Sequence, residues 1–131
     1  AVIRQLLATG LAHVKTRNGG IPQNSTIYGW TEQAGTDEVA TYKANGPKIG
    51  WVDPEKQEFL FDPNSLPFIR KHANGQLAVT PQTFIKRLKD AGLIVRTDAA
   101  RERNTIRMTL EGHPRNVIAL KLADVMTDDV E

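Results

Sequence analysis

Thr80-Pro81-Gln82-Thr83-Phe84-Ile85-Lys86-Arg87-Leu88-Lys89-Asp90-Ala91-Gly92 is the stretch on which the fold turns. The Thr80 hydroxyl can accept from an orphan amide at a helix start. Pro81 fits the first helical position, where no amide donor is needed. Phe84, Ile85, Leu88 and Ala91 then share one face at helical spacing. Gly92 supplies the left-handed residue that ends a helix. The opposite face carries Gln82, Thr83, Lys86 and Lys89, with Arg87 beside them. These residues predict a capped amphipathic helix with a basic outer face.

Downstream, Leu93-Ile94-Val95 reads as a buried strand. Thr105 to Leu110 alternates, with Ile106, Met108 and Leu110 on one side. Glu111-Gly112-His113-Pro114 is a turn, and Asn116 to Leu122 alternates again. That predicts a second hairpin. Upstream, Asp62-Pro63-Asn64-Ser65-Leu66-Pro67 is a run of helix-start residues, with Ser65 as a cap. The short helix that follows has Phe68 and Ile69 on its apolar face and ends by Asn74-Gly75. Before it, Ile49-Gly50-Trp51-Val52 and Glu58-Phe59-Leu60-Phe61 flank a five-residue charged loop and predict the first hairpin.

The remaining N-terminal third is less regular. Ile3, Leu6, Leu7, Leu11 and Val14 recur at helical spacing and predict a helix ending at Asn18-Gly19-Gly20. Ile27-Tyr28-Gly29-Trp30 and Val39-Ala40-Thr41-Tyr42 are rich in β-formers and predict short strands. Asn45-Gly46-Pro47 reads as a turn. No linker is evident, so residues 1–131 are expected to form one domain.

The chain has 131 residues and no cysteine. Disulfides and thiolate metal sites are thereby excluded, in keeping with a cytoplasmic setting. No apolar run is long enough for a membrane span. Residues 80–121 hold nine basic and four acidic side chains, whereas residues 122–131 hold four acidic and none basic. A basic segment beside an acidic, frayed tail points to a polyanionic partner.

Enzymatic signatures are wanting. Asn45-Gly46-Pro47-Lys48-Ile49-Gly50 lacks the spacing and hydroxyl of a phosphate-cradling loop. His13, His72 and His113 are too far apart for a metal motif, and Ser25 and Ser65 sit in no nucleophile pattern. Asp53, Glu55, Glu58 and Asp62 read as a solvated charged loop. Tyr28, Trp30, Tyr42 and Trp51 read as core, although exposed aromatics could stack on bases. No catalytic residue, metal, cofactor or small-molecule ligand is expected.

From residue 58 the order is strand, short helix, capped helix, strand, hairpin. That order resembles a winged helix, in which the second helix faces DNA and a hairpin wing touches its backbone. The expected architecture is α+β: an N-terminal helix and small β-region fused to a winged-helix-like part over 58–122. The resemblance implies a nucleic-acid face made of Gln82, Thr83, Lys86, Arg87, Lys89, Arg103, Arg107 and Arg115.

A second resemblance is more specific. Leu6-Leu7-Ala8-Thr9-Gly10-Leu11-Ala12-His13, Gly29-Trp30 and Gly46-Pro47-Lys48-Ile49-Gly50-Trp51-Val52-Asp53 form an ordered series. Phe59-Leu60-Phe61-Asp62-Pro63 and Arg87-Leu88-Lys89-Asp90-Ala91-Gly92-Leu93 continue it. The series resembles the C-terminal module of primase–helicase proteins of phages, plasmids and integrative elements. It implies an accessory DNA-binding role, on duplex or single strand, beside a parent ATPase or primase domain. The alternative is a protein-contact module that positions or oligomerises that ATPase.

Overall fold

The computed structural model describes residues 2–33, 41–72, 81–97 and 104–126. The chain is a mixed α+β structure. The first elements are α1 (Val2–Ala8), β1 (His13–Thr16), β2 (Trp30–Gln33), β3 (Thr41–Ala44), β4 (Lys48–Asp53) and β5 (Glu58–Phe61). Then come α2 (Leu66–His72), α3 (Pro81–Asp90), β6 (Ile94–Arg96), β7 (Ile106–Leu110), β8 (His113–Lys121) and α4 (Leu122–Met126). Turns of 3-10 helix at Ser25–Tyr28 and Pro63–Ser65 precede β2 and α2. Among the described residues no helix is long and apolar enough to cross a membrane.

The first helix is half as long as its apolar pattern predicts. Gly10 takes φ +76°, the Leu11 N–H bonds to the Leu6 carbonyl at 3.0 Å, and the Gly10 N–H bonds to Leu7 at 3.2 Å. This reciprocal pair closes the helix two residues after Ala8. Leu11 is therefore left exposed, while Val14 is buried on a strand. The predicted stop at Asn18-Gly19-Gly20 instead turns the chain after β1. The expected strand at Ile27–Trp30 is likewise a 3-10 turn for its first two residues. Gly29, at φ +90°, lets the backbone pass where a Cβ would lie 1.9 Å from the Ala12 carbonyl oxygen.

The main sheet has six strands. β1 runs parallel to β4, and β4, β5, β8 and β6 continue antiparallel. β7 pairs with the first half of β8, from Ile106↔Val117 to Leu110↔His113. The expected hairpins at 49–61 and 105–122 both form. However, the second is not a freestanding wing: the later half of β8 lies between β5 and β6, inside the sheet. β6 is also less buried than its apolar sequence predicts, with Val95 exposed. β2 and β3 form a separate ribbon. The expected helix-turn-helix connection, including the Thr80 cap, falls in 73–80 and lies outside the described residues. So do Val39-Ala40, the expected helix end at Asn74-Gly75 and the tail from 127.

Strand parity divides the core into two clusters. On one face Val14, Val52, Phe59, Phe61, Ile118 and Leu120 pack with Leu6 and Leu7 of α1, Leu66 and Ile69 of α2, and Val125 of α4. Phe84, Ile85 and Leu88 of α3 pack against this cluster but stay partly exposed. On the other face Trp51, Leu60, Val117 and Ala119 pack with Leu110, Ile106 and Met108 of the β7–β8 hairpin.

The charged loop of the first hairpin is not simply solvated. Asp53 and Glu58 are buried, and each meets an arginine: Arg17 at 3.3 Å and Arg96 at 2.6 Å. Asp62 caps the 3-10 turn Pro63–Ser65 that leads into α2, accepting from the Asn64 N–H at 2.9 Å, and the buried Ser65 hydroxyl lies 3.5 Å from the Lys48 carbonyl oxygen. Trp30 and Trp51 are buried as expected, Tyr28 is partly so, and Tyr42 is exposed. His13 is buried, with Nδ1 at 3.0 Å from the Gly46 carbonyl oxygen and its ring edge-on to Trp30. Burial lowers its pKa, partly offset by the Asn45 and Gly46 carbonyls, so the ring stays neutral with Nδ1 as donor.

Gly29→Ala should cost more than about 3 kcal/mol, because backbone must move to admit the methyl. Gly112→Ala, at φ +80° with nothing near its Cβ position, should cost about 1–2 kcal/mol. Urea unfolding followed by circular dichroism separates the two; equal costs would contradict the close approach at Ala12.

Candidate nucleic-acid interface

The expected basic residues fall into three groups. Gln82, Lys86, Arg87 and Lys89 are exposed on α3, and Thr83 is partly buried. At 100° per residue Lys86 lies opposite Leu88, with Gln82 and Lys89 together about 40° and 60° to one side of it. Asp90, also exposed, shares that face. Among the described residues none of Lys86, Arg87 and Lys89 is held in an ion pair. Ala91, expected on the apolar face, is exposed.

The two hairpin arginines part company. Arg107 stands opposite Asn116, whereas Arg115 stands opposite Met108. Residues directly opposite share a face and adjacent residues do not. Arg107 is thus exposed on the side whose β8 parity leads to Ile118 and Leu120, the helix-bearing side. Arg115 lies on the Trp51 side. Its guanidinium carbon sits 5.2 Å from the Trp51 ring centroid, and its Nε–H donates to the Leu110 carbonyl at 3.2 Å. The hairpin therefore does not present Arg107 and Arg115 on one surface, as the expected wing requires. Arg103 lies outside the described residues.

A cluster that the sequence did not suggest surrounds Trp51. The indole N–H donates to Glu111 Oε2 at 2.8 Å, and Lys48 donates to the same oxygen. Lys15 lies 3.8 Å from Oε1, and the Lys48 ammonium is 4.8 Å from the Trp51 ring centroid. Glu111 itself holds a left-handed φ of 53° at the hairpin tip, and its backbone N–H donates to the Arg17 carbonyl at 2.7 Å. Burial raises the Glu111 pKa. The hydrogen bonds from Lys48 and Trp51 and the charges of Lys48 and Lys15 outweigh burial and hold it down at about 2. Lys15 and Lys48 are consequently committed to the fold.

A cleft of about 430 Å³ opens between the turn at Asp62–Asn64 and the first half of β8. Trp51, Thr105, Arg115 and Asn116 complete its lining. Among the described residues no three His, Asp or Glu side chains group as a metal site. Comparison of the chain with protein-family models, curated proteins and solved structures finds no match.

The depressed Glu111 pKa has a definite sign. The carboxylate's contribution to stability is complete above its ordinary value of 4.5 and is lost as pH falls through about 2. Glu111→Gln should cost about 1–3 kcal/mol at pH 7, because Lys48 and Lys15 lose their anion. The cost should vanish near pH 2. Denaturant unfolding of both proteins across that range measures it; a pH-independent difference would remove the charge from the explanation.

Proposed function

We propose that this chain is a non-enzymatic accessory domain that binds nucleic acid, with α3 as the main contact surface. The observation that carries this reading is the set of exposed cations Lys86, Arg87 and Lys89 on one short helix, none of them in an ion pair among the described residues. Elsewhere Lys15, Arg17, Lys48 and Arg96 are matched by carboxylates; Lys43, Lys56, Arg70, Lys71 and Lys121 are also exposed without an ion pair among the described residues, but no three of them share one element. Cations left without partners are those able to neutralise phosphates and release counterions. Arg107, exposed on the helix-bearing side, is a further candidate contact.

In this reading α2, α3 and the β6–β8 edge act as a winged-helix-like unit in which the wing has been absorbed into a larger sheet. The contact is chiefly to phosphates, which position a strand without selecting its sequence. The resemblance to phage and mobile-element primase–helicase proteins suggests that the partner is DNA at a replication site. It also suggests that a parent ATPase or primase domain lies beside this one.

A second reading rests on a different surface. Ile21 and Tyr42 line a groove of about 480 Å³, and Ile27 with Ala8 and Met126 lines another of about 400 Å³. Thr26 borders both. Ile21, Ile27 and Tyr42 are exposed apolar side chains, so this region suits contact with a neighbouring protein domain.

Binding of labelled duplex and single-stranded DNA at several salt concentrations tests the first reading. Affinity should fall steeply with salt. Lys86→Ala/Lys89→Ala should lower the slope of log K against log salt by about 1 for each phosphate contact removed. No binding at low salt, or an unchanged slope in the variant, would sink the α3 reading and leave the apolar surface as the stronger candidate.

A further inference from the structure

The cleft beside Trp51 carries both signs of charge without pairing them. Asp62 and Arg115 line it, and neither forms an ion pair among the described residues. Each is nevertheless held in place. Asp62 accepts from the Asn64 N–H with one carboxylate oxygen, and among the described residues nothing donates to the other. Arg115 is anchored by its Nε–H to Leu110 and lies over the Trp51 ring. A guanidinium has five N–H donors, so among the described residues its two terminal nitrogens remain available. The amides of Asn64 and Asn116 and the hydroxyl of Thr105 complete the polar lining.

That lining decides between ligand classes. A phosphate would gain from Arg115 but would face the Asp62 carboxylate across a small space. An apolar group would leave both charges unsatisfied. A nucleobase edge sets N–H donors beside carbonyl or ring-nitrogen acceptors, so one flat group can satisfy Asp62 and Arg115 together. Carboxylates accept from the cytosine exocyclic amine, and arginine donates to base acceptors. The guanidinium plane is also a surface on which unpaired bases stack. The cleft volume falls within the range of ligand pockets.

We propose that this cleft takes one unpaired base of a single strand, Asp62 accepting from its N–H groups and Arg115 donating to its acceptors. The inference rests on the nucleic-acid reading above and deepens it: α3 tracks phosphates, and the cleft selects an unpaired strand over a duplex.

The test uses the full chain, labelled with 15N, and two strands of equal length and charge. One is oligo(dC); the other is the same backbone with its bases removed. Oligo(dC) should shift the resonances of Asn64, Thr105, Asn116 and the Trp51 indole, and the abasic strand should not. Asp62→Asn keeps a good helix cap, so the fold is preserved. It should weaken oligo(dC) binding about three- to tenfold and leave abasic binding unchanged. Arg115→Lys, which keeps the charge but loses the planar fork, should do the same. Equal shifts with both strands, no shifts with either, or tighter binding of both by Asp62→Asn would overturn the proposal. Lys86→Ala/Lys89→Ala reports separately on α3. Loss of affinity for both strands supports that surface, and unchanged affinity with persisting cleft shifts refutes it alone.

Discussion

A single carboxylate, that of Glu111, ties the end of the chain to its beginning. The left-handed backbone at Glu111 costs an ordinary residue about 1–2 kcal/mol. Its compensation comes from parts of the chain 60 residues and more away: the carbonyl of Arg17, the ammonium groups of Lys15 and Lys48 and the Trp51 indole N–H. With those bonds made, the β7–β8 tip is pinned across β1 and β4. Trp51 is then buried with Leu60 against Leu110 and Val117 of the hairpin. A hairpin anchored in this way cannot swing as an independent wing.

The same clamp sorts the chain's positive charge. A net charge of +2 says little about where a polyanion would sit. The pairing says more. Lys15 and Lys48 neutralise Glu111, Arg17 holds Asp53, and Arg96 holds Glu58. These cations have carboxylates at hand and contribute little potential beyond a few ångströms. The cations of α3, exposed and unpaired among the described residues, are thus more informative than the sequence surplus over residues 80–121. Arg115 is the intermediate case, since an aromatic ring and a carbonyl hold it but no anion among the described residues neutralises it.

Local signals were the legible ones. α3 follows from its proline start and its apolar stripe, and both hairpins follow from alternation broken by turn residues. The α1 helix was overextended because Leu11 and Val14 continue its spacing by coincidence. The Gly10 closure is visible in the sequence, but the parallel partner that makes His13–Thr16 a strand is 35 residues away. The arginine partners of Asp53 and Glu58 were hidden for the same reason: strand pairing brings them together over 36 and 38 residues. The division of Arg107 from Arg115 was within reach. A two-residue turn at Glu111-Gly112 fixes Leu110 opposite His113, and counting back sets the two arginines on opposite faces.

The shape of α3 bears on how it would meet a strand. A helix buried in a major groove presents its whole outer face to bases and both phosphate rows. Asp90 lies about 40° from Lys86 on that face, exposed and, among the described residues, without an ion pair. Deep insertion would press its carboxylate against the nucleic acid. A shallow approach along one phosphate row, led by Lys86 and Lys89, leaves Asp90 in water. The partial burial of Phe84, Ile85 and Leu88 agrees with a helix seated at the margin of the sheet, not wedged into a core. On the proposed reading, lateral contact with one backbone also suits a base cleft at Asp62 and Arg115, because a strand without its complement can offer phosphates to one surface and a base to another.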